Sequence, residues 1–350
     1  MILDDAIAIE KVDRSGMLAL TERSSERLIP PSDSHTTCGK DLVRPMNVVF
    51  GGVGGSGIVG DILVDYSREN IEVPVSVCRT LKIPRSVGKK TLFIAISYSG
   101  ETQETLHLLT QAKRSGAQIA TIGSGGQIIS QSRSEAMPHL KITAGLLPRV
   151  ALPELLGAAV FVLERAGLVS DSSGLLAEAR RSLAVQIDRV KPTIPVEANY
   201  AKQMAQALED KIPLLIGGEE STSVLRRFKN ELNENSKMPA FYYTLPEAYH
   251  DDIEGLRALN HLVHAQPILL QGHDEVEGQG RTRERLLTLL RELGFPAVLP
   301  FEGIGRDRLS QLITAITFGD YVSVYLAILR GLDPSELTLI PRFREAMRGS

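Results

Sequence analysis

The chain has 350 residues, with 39 Lys and Arg against 42 Asp and Glu, so its formal net charge is −3 at pH 7. This balance argues against a nucleic-acid-binding protein, because such proteins usually carry an excess of basic residues. Hydrophobic residues make up 43% of the chain, as expected for a globular protein. A chain of this length predicts about two domains.

The cysteine content and the N-terminal residues indicate the cellular compartment in which we expect the protein to be found. Cys38 and Cys78 are too few for a disulfide framework, and their separation fits no metal-binding motif. The N-terminal MILDDAIAIEKVDRSG carries acidic residues where a secretory signal carries Lys or Arg. We expect no membrane-spanning helix, because no apolar run approaches the roughly 18 residues that such a helix requires. We therefore expect a cytoplasmic protein that binds neither nucleic acid nor membrane.

Four short apolar runs in the first half of the chain are typical of buried strands that end in tight turns. They are NVVFGG (47–52), IEVPVSVCR (71–79), TLFIAISYSG (91–100) and QIATIGSGG (118–126). Residues 101–116 have a helical period, with acidic residues in the first turn and basic residues in the last. Strands that alternate with helices predict an α/β fold whose mainly parallel sheet is covered by helices on both faces.

The second half of the chain repeats this plan after an apolar helix predicted at 153–169 and a proline-containing connection at 190–200. Three further runs predict strands, and residues 310–331 predict a long apolar helix; the runs are IPLLIGG (212–218), QPILLQG (266–272) and PAVLPFEG (296–303). We therefore predict two α/β domains, 41–190 and 191–350, preceded by an N-terminal extension over residues 1–40.

A glycine-rich turn follows the first predicted strand, where Gly52, Gly54 and Gly57 form a G-x-G-x-x-G pattern. Alone this pattern is weak evidence of a dinucleotide site, because such sites also need an acid after the next strand to bind the ribose. Here the next strand ends at Arg79, which disfavours NAD but can accept the 2′-phosphate of NADP. A turn that needs small residues only for packing is the alternative.

A hydroxyl-rich turn, SYSGET, follows the third predicted strand and places Ser97, Ser99 and Thr102 before a helix. Hydroxyl groups and the free amides of a helix N-terminus together favour a bound anion. Both turns lie at the carboxyl edge of a parallel sheet, so Ser56 and the backbone of 54–55 can close over the same ligand. Helix capping alone would account for one of the three hydroxyls, and we therefore favour a phosphate-sized anion.

In the second half, Glu231 and Glu234 lie three residues apart in RRFKNELNENSKMP, on one face of a predicted helix. A carboxylate among amides can serve as a base. For Glu231 we favour a solvated helix end, whereas for Glu234 the two interpretations are evenly balanced.

His250 precedes two acids in PEAYHDDI, so it can act as a general acid or base. It could instead ligate a metal with neighbouring histidines, but the spacing to His261, His264 and His273-Asp274 matches no established motif, and surface histidines are the simpler interpretation. Arg149, in the apolar stretch LLPRVALPE, either pairs with an acid or faces an anionic ligand.

Together these residues resemble the bifunctional phosphoglucose/phosphomannose isomerases, which are built from two sugar isomerase (SIS) domains. The matching segments occur in the family's order between residue 47 and about residue 340; they are GGVGGSGIVGDIL, SYSGETQET, LLPRVALPELLG, RRFKNELNENSK, PEAYHDDI and GDYVSVYLAILRGLDPSEL. The SYSGET turn is typical of phosphosugar-binding SIS domains in general, and NENSK with a following His is more specific to the isomerases.

The resemblance implies an aldose–ketose isomerase that interconverts glucose 6-phosphate and mannose 6-phosphate with fructose 6-phosphate through a cis-enediolate. It implies that Glu234 moves the proton between C1 and C2, that His250 opens the hexose ring, and that Arg149 stabilises the enediolate. The implied phosphate-binding residues are Gly54, Gly55, Ser56, Ser97, Ser99 and Thr102. In the family the site lies between domains and the His comes from the partner subunit, so a homodimer is implied. No metal or nicotinamide cofactor is needed.

The C-terminal segment departs from the family, which usually has a DPT motif followed by a helix with a catalytic Lys. Here Ser335 replaces the Thr, and Arg344 stands where we would place the Lys. Arg does not replace Lys in proton transfer, although it can keep a charge-stabilising role.

Two rival functions belong to other classes. A non-enzymatic phosphosugar-binding regulator would keep SYSGET but would not need Glu234 and His250 together. An NADP-dependent oxidoreductase would need a 2′-phosphate site around Arg79.

Overall fold

A computed structural model of the chain describes residues 2–29, 36–37, 41–272 and 279–348. These residues form two compact units, each made of separate stretches of the chain. One consists of residues 23–184 and 304–313, and we call it the six-stranded unit after its sheet. The other consists of residues 1–22, 185–303 and 314–350, and we call it the four-stranded unit.

The sheet of the six-stranded unit has the strand order β1-β6-β5-β4-β2-β3, and all neighbouring pairs are parallel except β1 with β6. The strands are β1 (Thr36–Thr37), β2 (Asn47–Gly51), β3 (Val75–Cys78), β4 (Thr91–Ile96), β5 (Gln118–Gly123) and β6 (His139–Lys141).

The sheet of the four-stranded unit is parallel throughout, in the order β10-β9-β7-β8. Its strands are β7 (Ile212–Gly218), β8 (Phe241–Leu245), β9 (Ala265–Gln271) and β10 (Leu299–Glu302).

Helices connect the strands as expected for parallel sheets, which need crossover connections. In chain order the first seven are α1 (Ala6–Val12), α2 (Met17–Glu22), α3 (Ser24–Arg27), α4 (Gly54–Asn70), α5 (Gln103–Arg114), α6 (Gly126–Ser134) and α7 (Leu152–Arg165). The others are α8 (Ser172–Val190), α9 (Tyr200–Ala207), α10 (Thr222–Glu234), α11 (Asp252–Leu262), α12 (Gln279–Glu292), α13 (Arg308–Leu329) and α14 (Leu339–Arg348).

Burial on both sheet faces explains the uninterrupted apolar runs. Every residue of β4 is buried, and Phe93 packs with Leu108 and Leu109 of α5 and with Ile128 of α6. In the four-stranded unit, Leu214 and Leu269 pack with apolar residues of α11 and α12. The predicted α/β class with parallel sheets is therefore confirmed, and the strands predicted from the seven apolar runs are present, some with shorter bounds.

Helix α13 is the long apolar helix predicted from the sequence. By length and composition alone it could cross a membrane, contrary to the expectation that no run is long enough, yet 89% of its apolar window is buried inside the structure. It is also the one helix of this kind in the described part of the chain. Tyr321 and Tyr325 of α13 are fully buried, which is the environment of a core helix.

The N-terminal residues are tied into the four-stranded unit by a buried charge. The side chain of Lys202 is fully buried, and its Nζ donates to Asp4 Oδ1 at 3.0 Å and to the Pro192 carbonyl at 2.8 Å. Asp4 Oδ1 also accepts from the Val196 amide at 3.0 Å. The buried ammonium therefore holds the chain near residue 4 against residues far away in sequence.

Candidate active site

The glycine turn and the hydroxyl turn lie side by side in the six-stranded unit. The strands before them, β2 and β4, are parallel neighbours, so both turns leave the same edge of the sheet. The Tyr98 amide donates to Ser56 Oγ at 3.2 Å, which joins the two turns directly. The sequence prediction that they meet at one edge is confirmed.

Two hydroxyls of SYSGET are hydrogen-bonded to each other, and all three lie in the turn before α5. Ser97 Oγ donates to Thr102 Oγ1 at 3.0 Å and accepts from the Gly100 amide at 3.1 Å, while Ser99 Oγ accepts from the Glu101 amide at 3.2 Å. Thr102 is the N-cap residue of α5, but its side chain makes no capping hydrogen bond. Capping of this helix therefore does not explain the hydroxyls.

Two helices begin at these turns. Helix α4 begins at Gly54, which has a φ of +57° that favours glycine, and α5 begins directly after Thr102. The first amides of a helix lack partners within the helix, and the helix dipole favours negative charge there. Gly54, Gly55 and the hydroxyls of Ser56, Ser97, Ser99 and Thr102 thus belong to one region suited to an anion such as phosphate.

A third turn, after β5, supports the hydroxyl turn, and this contact between the two turns was not predicted from the sequence. A Cβ atom at Gly100, whose φ is +72°, would lie 1.9 Å from the Gly125 carbonyl oxygen, so the two backbones touch. The carboxylate of Glu101 accepts from the Gln127 amide at 2.9 Å and from its side chain at 2.8 Å. The sequence signal was the glycine pair at 125–126 at the same edge of the sheet.

Arg149 lies near the glycine turn, in a short 3-10 helix, Pro148–Ala151, that precedes α7. It is buried, with 7% of its surface exposed. The neighbouring Pro148 carbonyl oxygen is 3.8 Å from the position that a Cβ at Gly55 would take. The cation is therefore carried by a segment that reaches the proposed phosphate region.

Arg79 is engaged within the protein. Its guanidinium forms a very short ion pair with Asp61 and donates to the Gly57 carbonyl at 2.9 Å. Both partners belong to α4, directly after the glycine turn. Arg79 thus holds this helix to the end of β3. Because its guanidinium is engaged in these contacts, the structure does not support the 2′-phosphate site that an NADP-dependent enzyme would need.

In the four-stranded unit, Glu234 is the last residue of α10 and is partly buried. One turn earlier, Glu231 has a side chain only 3% exposed and accepts from Arg227 Nη1 at 2.8 Å. The expectation of a solvated Glu231 is therefore wrong. Glu231 is buried because it pairs with Arg227, which is itself buried and also bound to Asp320 of α13. The Asp320 Oδ1 lies 2.9 Å from Arg227 Nε.

The segment around Ser335 lies beside the turn that follows Glu234. Lys237 Nζ donates to the Asn235 carbonyl at 3.0 Å and to the Asp333 carbonyl at 2.9 Å. The Ser335 hydroxyl donates to Asp333 Oδ1 at 2.7 Å. The structure thus brings Ser335 and Glu234, 101 residues apart in sequence, to neighbouring turns.

His250 lies elsewhere in the same unit. It follows a short 3-10 helix, Glu247–Tyr249, after the carboxyl end of β8, and it is exposed. Acidic residues lie on both sides of His250 in the chain, and burial together with the neighbouring carboxylates of Asp251 and Glu247 raises the pKa of Asp252.

Glu234 and His250 are located at opposite edges of the four-stranded sheet. Helix α10 begins after the carboxyl end of β7 and, because β7 and β8 are parallel, returns across the sheet to its amino edge. Its 13 residues span roughly 20 Å at the rise of an α-helix. Glu234 ends this helix, whereas His250 follows the far end of β8, so one chain does not bring the two residues together.

Arg344 lies on α14 and is exposed, as are Leu339 and Phe343 of the same helix. Within residues 2–29, 41–272 and 279–348, no group of three His, Cys, Asp or Glu side chains is arranged to hold a metal ion. This covers His261 and His264, whereas His273 and Asp274 lie outside the described residues.

Comparison with known proteins gives consistent results. Residues 197–347 match the family model of the bacterial phospho-glucose isomerase C-terminal SIS domain. A bifunctional phosphoglucose/phosphomannose isomerase from Caldicellulosiruptor bescii is 33% identical over 294 residues, which are 84% of this chain and 87% of that protein. One from Aquifex aeolicus is 27% identical over 313 residues, which are 88% and 92% of the two chains.

Among solved structures, a glucose-6-phosphate isomerase like protein from Thermus thermophilus has a TM-score of 0.65 at 18% identity, with 98% of each chain covered. At this level of sequence identity, the similarity shows that the two proteins share a fold.

Proposed function

Because the chain belongs to the bifunctional phosphoglucose/phosphomannose isomerase family, we propose that it interconverts glucose 6-phosphate and mannose 6-phosphate with fructose 6-phosphate. The observation that carries the proposal is the 33% identity over 294 residues to a protein of that name. The connected hydroxyls of Ser97 and Thr102, beside two helix starts, supply a matching place for the phosphate.

The phosphate would be held mainly by neutral donors. The Ser56, Ser97, Ser99 and Thr102 hydroxyls can rotate to donate, and amides at the start of α4 and α5 add the field of the helix dipoles. Glycine at positions 54 and 55 lets the backbone approach the anion closely. Binding energy from this remote group then helps to orient the reacting carbons.

Glu234 would carry the proton between the carbon atoms. Its carboxylate removes the proton from C2 of the aldose, and the electrons form the enediolate. The O2 hydroxyl proton passes to O1, and the same carboxylate returns its proton to C1 to give the ketose. No net oxidation occurs, because one C–H bond breaks and another forms. A planar enediolate can be protonated on either face at C2, so one base can serve both epimers if the intermediate rotates about its C2–C3 bond. The fixed cation of Arg149 would stabilise the developing negative charge.

His250 would open the sugar ring by moving a proton between the ring oxygen and O1, a role that suits an imidazole because its two ring nitrogens can donate and accept a proton. Since Glu234 and His250 lie at opposite edges of their own sheet, we propose that the chain forms a homodimer in which His250 acts on the partner's substrate. The few cysteines favour work in the cytoplasm, and none of these steps calls on a cofactor.

The test is a coupled assay on metal-stripped protein that supplies glucose 6-phosphate and mannose 6-phosphate separately and detects fructose 6-phosphate. Turnover of both supports the proposal and shows that Arg344 is tolerated where relatives carry Lys. Turnover of only glucose 6-phosphate narrows the function and points to Ser335. Tight binding of a sugar phosphate without turnover favours a phosphosugar-binding regulator instead.

The first variant is Glu234→Gln, which keeps the shape of the side chain but removes its basicity. We expect a loss of turnover of at least about 1,000-fold, with the affinity for fructose 6-phosphate changed less than about threefold. The control is Glu231→Gln with its folding monitored, because that carboxylate is buried against Arg227. Near-normal turnover of Glu234→Gln would remove Glu234 from the role of base.

A further inference from the structure

We propose that Tyr98 is a positioning residue that holds the segment carrying Arg149 next to the phosphate-binding turns. The proposal rests on the function proposed above for Arg149. Tyr98 lies between Ser97 and Ser99 in the hydroxyl turn, and its side chain extends away from that turn. Its hydroxyl accepts from the Leu146 amide at 2.6 Å and donates to the Thr143 carbonyl at 3.3 Å.

The backbone of Tyr98 joins the neighbouring turns at the same time. Its amide donates to Ser56 Oγ at 3.2 Å, and its carbonyl accepts from the amide and the hydroxyl of Ser124 at 2.9 and 2.6 Å. One residue therefore connects the glycine turn, the turn after β5 and the segment 143–146. An anion that orders the hydroxyl turn will also order this segment.

The segment that Tyr98 holds has an irregular backbone and leads directly to Arg149. At its start, the amide and the hydroxyl of Thr143 donate to Glu154 Oε1 at 2.8 and 2.9 Å, which ties that end to α7. Gly145, with a φ of +82°, turns the chain before Leu146. The hydrogen bond from the Leu146 amide to the Tyr98 hydroxyl therefore attaches the other end of this segment, just before the 3-10 helix that contains Arg149, to the hydroxyl turn.

The chemistry of the phenol fits this role. Burial raises the pKa of Tyr98, so the hydroxyl keeps its proton and remains both donor and acceptor. Phenylalanine has the same ring but neither function, so Tyr98→Phe releases Leu146 and Thr143 and leaves the backbone contacts to Ser56 and Ser124 in place. The variant therefore separates placement of the cation from binding of the phosphate.

The experiment compares wild type, Tyr98→Phe, Arg149→Lys and the double variant in the coupled isomerase assay. We expect Tyr98→Phe to lower kcat about tenfold while KM changes less than about twofold, because the lost contacts position a group that acts in the transition state. Since Tyr98 acts through Arg149, adding Tyr98→Phe to Arg149→Lys should cost less than about twofold more. Full additivity of the two changes, or a rise in KM alone, overturns the proposal.

The matched control is Tyr66→Phe, which removes a buried tyrosine hydroxyl from α4 of the same unit and outside this hydrogen-bond set. It should leave kcat and KM near the wild-type values. An equal loss of kcat in Tyr66→Phe would mean that general loosening of the unit explains the effect, and would contradict the positioning role.

A second measurement does not depend on turnover. Amide hydrogen exchange over residues 143–149 should be faster in Tyr98→Phe than in wild type, and inorganic phosphate should slow it in wild type only. If wild type turns over neither sugar phosphate, the proposed function fails, while this measurement still decides whether Tyr98 holds the segment. Unchanged exchange in Tyr98→Phe overturns the inference even if the enzyme is an active isomerase.

Discussion

Arg227 is the centre of a buried charge network next to the proposed base. Burial disfavours its charged form, but the carboxylates of Asp320 and Glu231, and more weakly that of Glu234, raise the pKa of Arg227 well above its usual range. Asp320 is engaged by two guanidinium nitrogens, at 2.9 and 3.1 Å. The permanent cation therefore balances the buried carboxylate of Glu231 and the partly buried one of Asp320, and it fixes the end of α10, where Glu234 lies.

Replacement of Arg227 by Met should lower the free energy of unfolding by about 3–5 kcal/mol, because it leaves the buried Glu231 and the partly buried Asp320 without their cation. Urea unfolding measures this change. Arg226→Met is the control, since Arg226 is the adjacent residue of the helix and only partly buried. Equal losses in the two variants would show that the buried network has no special contribution.

A buried histidine gives the six-stranded unit a dependence on pH. His139 of β6 is 1% exposed, and burial, assisted by the charge of Arg133, lowers its pKa from the usual value of 6.5. The folded state therefore binds fewer protons than the unfolded state as pH falls through 6.5. Stability should decrease with falling pH from that point until the folded-state pKa is passed.

Thermal unfolding of wild type and His139→Gln between pH 7.5 and 5 tests this prediction, because the variant should lose part of the pH dependence. His107→Gln is the matched control, since His107 is exposed on α5 of the same unit. If His139→Gln shows the same pH dependence of thermal unfolding as wild type, the prediction is wrong.

The residues whose surroundings were misjudged from the sequence are those whose partners are distant in the chain. A window around Glu231 shows a polar helix end, but its burial depends on Arg227 and on Asp320, which is 93 residues from Arg227. Arg79 ends a strand, as expected, yet its partner Asp61 lies 18 residues before it. Local patterns predict which residue types are present, whereas long-range ion pairs decide which of them face solvent.

At the scale of elements, the interlocked turns after β4 and β5 are the most tightly constrained part of the proposed site. A side chain at Gly100 would collide with the Gly125 carbonyl, whereas Gly145, which also has a positive φ, has no atom within 4 Å of the position that a Cβ would take. Substitution of either glycine by alanine therefore introduces backbone strain, but only substitution of Gly100 also disturbs the contact between the two turns.

Gly145→Ala should cost roughly 1–2 kcal/mol of stability, the usual strain of a left-handed conformation. Gly100→Ala should cost clearly more and should also weaken sugar-phosphate binding at least about tenfold, because the turns must separate. Urea unfolding and titration with fructose 6-phosphate measure the two effects. If the two variants behave alike, contact between the turns does not matter.

Fully buried strands were predicted from the sequence, whereas β6 and β8 were missed, although the partly exposed edge strands β3 and β10 were predicted. Strand β4 is buried at every position and forms an evident apolar run. Strand β8 has no fully buried residue, because it is the edge strand of its sheet, and β6 has only three residues. Short or half-exposed strands carry a weaker apolar signal, so the sequence reveals some of them and not others.

At the scale of the whole molecule, the separation of Glu234 from His250 makes the proposed dimer testable by subunit mixing. The Glu234→Gln and His250→Asn variants should each be inactive as homodimers. Random exchange of subunits should restore about a quarter of wild-type activity, because about half of the dimers are mixed and each has one site with both native residues. Sedimentation equilibrium should first show a dimer.

No recovery after verified subunit exchange would contradict a His250 supplied by the partner. Mixing Glu234→Gln with a second inactive variant at the same residue is the control, since no combination of those chains restores an intact pair.

The buried ion pair between Lys202 and Asp4 has a consequence for the order in which the newly made chain can fold. The two residues are 198 positions apart, so on the ribosome Asp4 emerges roughly 10–40 s before its partner at ordinary synthesis rates. Until then α1 and α2 lack the residues around Lys202 and Pro192 that hold residue 4 in the folded unit, and their apolar residues are accessible to chaperones. The four-stranded unit is completed only after α13, most of which also belongs to it, has left the ribosome.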